Sequence, residues 1–398
     1  MIKVKKKLLL VVAGFFTILL IGGGYNLASK GKRSPPVSMN TFEKTYKEGK
    51  GFSVAQTSDG GYIVAGEAPS FGSGGLDIYL LKTDAKGNKM WEKTYGGKGW
   101  DYGHCVAQTS DAGYVIVGFT DSLGGGDVYL VKTDAKGYKI WERSFGGRKM
   151  DEGHCVKQTS DRGYIIVGST QSFGAGGSNV YLIKTDSQGN KLWEKAFKGK
   201  YSAEGNSVVQ TDDGGYIVVG YTDSPGEEDR DVYVVKTDSN GNKIWEKYFG
   251  GSEMDFGESI AQTNDGCYII VGGTLSFGEG ESKVYLVKID LQGNKIWEKA
   301  LETEYFASGS FVAKTKDGGY ILVGSAGAHG PGLAILIKTD SKGNKVWEKT
   351  LESENANVEC YSVVQTKDGG YIIAGEKGGY VYLVKTDANG NVKKGRSQ

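Results

Sequence analysis

Two His-Cys pairs, His104-Cys105 and His154-Cys155, stand 50 residues apart in this chain of 398 residues and are the first groups whose types suggest chemistry. Imidazole and thiolate both bind zinc, but a structural zinc site takes four such ligands. Neighbouring residues of an extended strand face opposite sides, so if the two imidazoles converge each cysteine turns away. No metal site and no cofactor is therefore expected. Carboxylates form a second set: Glu152 and Glu204, with Glu258 further on, are of the type that serves as acid and base in glycoside hydrolysis when about 5 to 9 Å apart. A third set, the recurring Asp-x-x-Gly-Asn, offers one side-chain carboxylate where a calcium loop supplies several at alternating positions. That motif reads as a turn cap instead.

All of these residues are embedded in a repeat. Close variants of Asp-Gly-Gly-Tyr-Ile begin at Asp59, Asp111, Asp161, Asp213, Asp265, Asp317 and Asp368, and a Lys-Thr-Asp-like triplet ends each copy's third segment, at Asp84, Asp134, Asp186, Asp238, Asp290, Asp340 and Asp387. Tryptophans keep the same beat at Trp91, Trp141, Trp193, Trp245, Trp297 and Trp347. A period near 50 residues filled with short strands marks a propeller or an array.

Residues 256 to 301 show one unit. Ser259 to Thr263 alternates polar and apolar, and Asn264-Asp265-Gly266 joins it to the β-branched run Tyr268-Ile269-Ile270-Val271. A two-residue Asp-Gly hairpin turn, with positive φ at both central positions, is the expectation there. Val284 to Lys288 is a third strand, Asp290-Leu291-Gln292-Gly293-Asn294 a second tight turn, and Lys295 to Ala300 a fourth strand. Four such strands are apolar on both faces, and stacking seven of them radially buries both. The expected fold is all-β, a seven-bladed β-propeller of four-stranded antiparallel blades. Residues 41 to 46, Thr-Phe-Glu-Lys-Thr-Tyr, copy a fourth strand ahead of any complete repeat, while the last repeat runs past Val392 without its tryptophan. The N-terminal strand is thus expected to close the ring by joining the last blade. An open solenoid would need polar capping repeats, and none is present.

Whatever recurs in every repeat is scaffold, because a single site requires broken symmetry. The tryptophans fall in that class and read as packing between blades. The links from fourth to first strands and from second to third strands are long and variable, and both open on one face of a propeller. Four residues before the first-strand Gln, or its equivalent Lys314, come Phe52, His104, His154, Asn206, Glu258, Ser310 and Tyr361, a ring of differing groups at the axial channel. Two positions earlier lie Lys50, Tyr102, Glu152, Glu204, Phe256, Ser308 and Glu359. The candidate ligand-binding residues are Trp100, Asp101, His104, Glu152, His154, Tyr201, Glu204, Asn206, Phe256 and Glu258, a groove across the second to fifth blades suited to a protein or carbohydrate ligand. No residue is assigned as catalytic. The alternative is a glycan-active hydrolase or lyase using the carboxylates.

The net charge of +1, evenly mixed, gives no basic stripe for nucleic acid. Residues 1–29 differ from the rest: Lys3, Lys5, Lys6 and Lys7 precede the apolar run Leu8 to Gly24, as in a secretory signal peptide or an uncleaved membrane anchor. Residues 8–27 would supply the only membrane contact, and the propeller of residues 41–398, after a linker at 30–40, is expected outside the cytoplasm as a monomer. Cys105, Cys155, Cys267 and Cys360 read as free thiols packed as small apolar groups rather than as a disulfide framework.

The repeat Asp-Gly-Gly-Tyr-Ile-Val-x-Gly, Asp-Val-Tyr-Leu-Val-Lys-Thr-Asp, Gly-Asn-Lys-x-Trp-Glu-Lys-x-Phe-Gly-Gly resembles the bacterial and archaeal extracellular β-propeller repeat family abbreviated SBBP. Asp231 to Trp245 carries most of the likeness, which covers residues 41 to 391. The resemblance implies a propeller on a secreted or surface protein and transfers no catalytic motif. The Asp-x-x-Gly-Asn-Lys-x-x-Trp portion is also similar to the tryptophan repeat of quinoprotein-like propellers, without a site for their cofactor, and Gly272-Gly273 is similar to the paired glycine of kelch repeats.

Overall fold

The computed structural model describes residues 40–392 except for 71–74, 123, 175, 224–228, 279–280, 328–331 and 354. The expected signal or anchor at 1–29 and all but the last residue of the linker lie outside the described residues. Seven four-stranded antiparallel sheets follow one another. Blade 1 runs through Lys50–Gln56, Tyr62–Pro69, Leu76–Thr83 and Lys89–Tyr95, and each later blade repeats that order. The first strands of successive blades touch one another, and that of the last blade touches that of the first, so the sheets form a closed ring with these strands innermost. This is the expected propeller.

Blade 7 is completed as anticipated. Phe42–Glu48 pairs with Tyr380–Thr386, with Phe42 opposite Lys385 and Thr45 opposite Tyr382. Phe42 also does the work of the missing tryptophan. In the other blades the indole rests on the glycine of the next blade's turn: a Cβ on Gly137 would lie 2.7 Å from Trp91, and one on Gly390 would lie 2.8 Å from Trp347. A Cβ on Gly87 would lie 2.5 Å from the Phe42 ring, the same contact across the closure. The bottom edge is latched alike, since the Gln56 side-chain oxygen accepts the Lys367 N–H at 2.9 Å, as Gln108 accepts that of Ser58 at 2.8 Å.

The second and third strands are buried on both faces, as the run Tyr62-Ile63-Val64-Ala65 shows. Among these apolar side chains each blade buries one lysine, that of the Lys-Thr-Asp triplet. Its ammonium group meets the aspartate of the Asp-Gly-Gly motif, at 3.0 Å for Lys82 and Asp59 and 2.9 Å for Lys132 and Asp111, and donates to the carbonyl of the next residue, Thr83 or Thr133. The triplet's own aspartate caps its turn as expected: Asp84 Oδ1 accepts the N–H groups of Lys86 and Asn88, each at 2.8 Å. The first turn differs from expectation. Only the residue after the aspartate has positive φ, as at Gly60, Ala112 and Arg162, because the aspartate belongs to a longer loop in which the Thr57 N–H donates to the Gly61 carbonyl.

Two outcomes follow. Deleting residues 41–46 removes the outer strand of blade 7 and exposes its edge and the Phe42 seat, so the melting temperature followed by circular dichroism should drop steeply; an unchanged melt would show that the ring does not need this strand. The Lys–Asp pairs set the acid limit. Burial raises Asp111, but hydrogen bonds from Thr109, Lys132 and Gly113 outweigh it and hold the carboxyl at about 2, as the equivalent groups hold Asp161 and Asp265 at about 2. Because the folded pKa is depressed, the stabilisation is complete above the unfolded value of about 4 and is lost as pH falls toward 2. The melting temperature should therefore fall between about pH 4 and pH 2, and the fall should be shallower in Asp111→Asn.

Candidate functional site

The seven innermost strands surround a cavity of 430 Å³ lined by Phe52, His104, His154, Asn206, Glu258, Ser310 and Tyr361, the ring read from the sequence. The same cavity is lined by Ser53, Cys105, Cys155, Ser207, Ser259 and Phe311, the residues that follow them. That corrects the expectation that each cysteine turns away. Every first strand carries a bulge at the ring position: pairing runs from Gly103 opposite Gly118 directly to Cys105 opposite Val117, and His104 is left over. A bulge suspends the two-residue alternation, so histidine and cysteine both face the axis. The second-strand glycine makes room for it, since a Cβ on Gly118 would lie 1.7 Å from the Tyr102 carbonyl oxygen. The recurring glycine inside an otherwise β-branched strand was the available signal for this bulge.

At the ring, blades 2 and 3 form one polar cluster. Glu152, at the tier above, lies between the two imidazoles: His104 Nδ1 is 3.5 Å from Oε1, and His154 Nε2 is 3.7 Å from Oε2. His104 Nδ1 also lies 3.2 Å from the Gly153 carbonyl, and His154 Nδ1 lies 3.0 Å from that of Gly205. The two rings are 5.8 Å apart, and Tyr102 stacks on His104 at 6.2 Å. Burial would raise the Glu152 carboxyl, yet the two histidines outweigh it and bring it to about 2. Burial would lower His154, but Glu152 and, more weakly, Glu204 lift it to about 9. His104 is lowered, chiefly by burial. In blade 5 burial pushes Glu258 up to about 7, and the Asn206 amide donates to its Oε2 at 3.2 Å.

The other predicted residues separate by depth. Glu204 receives the Tyr221 hydroxyl and Phe256 is half-buried beside Gly273. Trp100 and Tyr201 stand exposed on the long loops. Those loops do share a face, tied by backbone bonds such as Gly75 N–H to Gly99 O at 3.1 Å and Asp151 N–H to Gly126 O at 2.8 Å. Asp101, by contrast, is fully buried; its Oδ2 accepts the Gly97 N–H at 2.8 Å and the Ser122 hydroxyl at 2.7 Å, so it anchors the loop from beneath. Phe52 and Tyr361, left out of the candidate set, complete the ring by packing together at 5.1 Å, with Phe52 edge-on to His104 at 5.6 Å.

Comparison with solved structures finds the same architecture. The WD40 domain of Pan2 from Neurospora crassa superposes with a TM-score of 0.54 at 11% identity, covering 85% of this chain and 89% of that one. A protein of unknown function from Dyadobacter fermentans gives 0.52 at 10% identity, covering 88% and 99%. BBS1N, solved in complex with ARL6DN, gives 0.51 at 8% identity, covering 87% and 97%. The likeness is one of fold. No family model and no curated protein matches the chain.

Depth gives a direct check on the loop face. Asp101→Ala removes the acceptor of two hydrogen bonds and should cost about 1–3 kcal/mol, whereas Trp100→Ala, at an exposed site, should cost less than about 1 kcal/mol. Equal costs in urea unfolding would show that Asp101 is no anchor.

Proposed function

We propose that the chain is an exported binding or scaffold module of the SBBP type that holds a protein or carbohydrate ligand on its long-loop face, at the mouth of the axial channel. The observation that carries this reading is the contrast within one structural position. The bulged residue has the same backbone environment in all seven blades, yet it is Phe, His, His, Asn, Glu, Ser and Tyr in turn, whereas the buried Lys–Asp pair of each blade is the same. A mixed polar and aromatic rim beside the exposed Trp100, Met150 and Tyr201 gives hydrogen bonds for polar groups and flat apolar surface for stacking. A fold of this kind accommodates a protein partner in BBS1N with ARL6DN. Export rests on the lysine-flanked apolar run at residues 3–24.

The glycan-hydrolase alternative draws on Glu152, Glu204 and Glu258. Glu152 is engaged by two histidines and Glu204 by Tyr221, which leaves Glu258 without an evident carboxylate partner for a two-carboxylate mechanism, and binding is the better-supported reading.

The test is a screen of glycans and surface proteins against the purified propeller. For any hit, Trp100→Ala and Glu258→Ala should weaken binding at least about tenfold, a loss of about 1.4 kcal/mol, with little change in melting temperature. Tyr138→Ala, on the exposed turn of the opposite face, should leave it intact. Normal binding by the first two variants together with loss in the third would place the ligand on the wrong face for this proposal.

A further inference from the structure

The chain has only three histidines, and two of them meet across the interface of blades 2 and 3. One nitrogen from His104, one from His154 and a carboxylate oxygen of Glu152 lie within 4.8 Å of one another. We infer that this cluster is a binding site for a divalent transition-metal ion of the zinc type, held by His104, Glu152 and His154 at the mouth of the axial channel. The sequence does not announce it, because Glu152 is two positions from His154 but 48 from His104, which lies on another blade.

The geometry is close to what such an ion needs. Metal–ligand bonds of about 2.0–2.2 Å in a tetrahedral shell put neighbouring donors about 3.3–3.6 Å apart. Two of the separations are already 3.5 and 3.7 Å, so a small rotation of the side chains closes the set. The second shell is suited to the task as well. His154 Nδ1 is turned to the Gly205 carbonyl, which fixes that nitrogen as the donor and leaves Nε2, the atom facing Glu152, with its lone pair once the proton is displaced. In His104 the same Nδ1 faces both the Gly153 carbonyl at 3.2 Å and Glu152 Oε1 at 3.5 Å, so this nitrogen must turn from the carbonyl to bind the ion. Tyr102, stacked on His104, backs the imidazole. Two imidazoles with one carboxylate favour zinc, nickel or copper over calcium or magnesium, whose preferred ligands are oxygen alone.

Three protein ligands leave the remaining positions open. His104 and His154 line a cavity of 430 Å³ together with Asn206 and Glu258, so an ion on them would be exchangeable with solvent and accessible to a small anionic or neutral donor. Glu204, whose charge already acts on His154, adds to the negative field that attracts a cation. Cys105 and Cys155, with sulfurs 4.0 Å apart one residue further along each strand, are the competing donors. This site stands whether or not the propeller binds a glycan or protein.

The experiment uses the chelator-stripped protein and Zn²⁺ alone, by isothermal titration at neutral pH, with Co²⁺ as a spectroscopic substitute. One ion per chain is expected, with Co²⁺ giving d–d absorption of a nitrogen and oxygen shell and no thiolate charge-transfer band. His104→Ala, Glu152→Gln and His154→Ala should each weaken Zn²⁺ binding at least about tenfold while melting like the parent protein, and the double variant Cys105→Ser, Cys155→Ser should bind as tightly as the parent. Absence of stoichiometric binding, unchanged affinity in Glu152→Gln and His104→Ala, or loss of the ion in the cysteine variant would each overturn the assignment. Should one of the histidine variants fail to fold, Glu152→Gln, which keeps the size of the side chain, decides alone.

Discussion

A four-stranded sheet whose two central strands are buried on both faces cannot exist by itself in water, and this constraint shapes everything else in the molecule. Each blade of the propeller covers one apolar face of its neighbour, so the first and last blades must meet, and among the described residues the strand that completes the last blade is the one that precedes the first. Phe42 shows how far this goes: it fills the seat on Gly87 that a tryptophan fills on the equivalent glycine of the other blades. Closing the ring in turn forces the seven first strands to the axis, where they surround a channel.

The lysine of the repeat is the cost of that burial and also its specification. Its ammonium is carried into the apolar layer and is neutralised by an aspartate whose other side remains in solvent, as in Lys132 with side-chain exposures of 4% and 58% for lysine and aspartate. An unpaired charge at that depth would be strongly unfavourable, so each pair ties the turn between the first two strands to the end of the third. A similar logic explains the glutamate after the repeat tryptophan in blades 1 to 5, which accepts the third-strand tyrosine hydroxyl, at 2.5 Å in Tyr79 with Glu92, and is met by Lys89 at 2.7 Å in blade 1; blade 6 has Ile335 in place of the tyrosine.

Against this uniform frame the bulge in each first strand is the device that makes the channel useful. It releases one residue per blade from the ladder and turns that side chain, together with the next, toward the axis. Seven blades thereby present a layer of side chains that differ from blade to blade. Chemistry concentrates there on one side, where His104, Glu152 and His154 share a charge network and Asn206 with Glu258 continues it into the next two blades, while blade 6 contributes Ser310 and Phe311. Asymmetry of this kind in a symmetric ring marks a face rather than the whole circumference.

The sequence by itself determined the number of blades, their four strands, the closing strand, the ring position and the face on which the long loops lie. All of these follow from local signals, namely the two-residue apolar alternation, the turn residues and the repeat length, which act between residues close in the chain. The turn caps at Asp84 and its equivalents were legible for the same reason. Only the tertiary structure decided that Lys82 and its counterparts are buried on Asp59 and its counterparts, that Asp101 lies beneath the loop rather than on it, and that the cysteines face the axis. It also decided the meeting of Glu152 with two histidines from different blades. The physical reason is common to these cases. Alternation assigns faces only while strands stay in register, and a bulge breaks the register by one residue; contacts between blades join positions some 50 residues apart, whose approach depends on how the blades stack and leaves no mark in either segment alone.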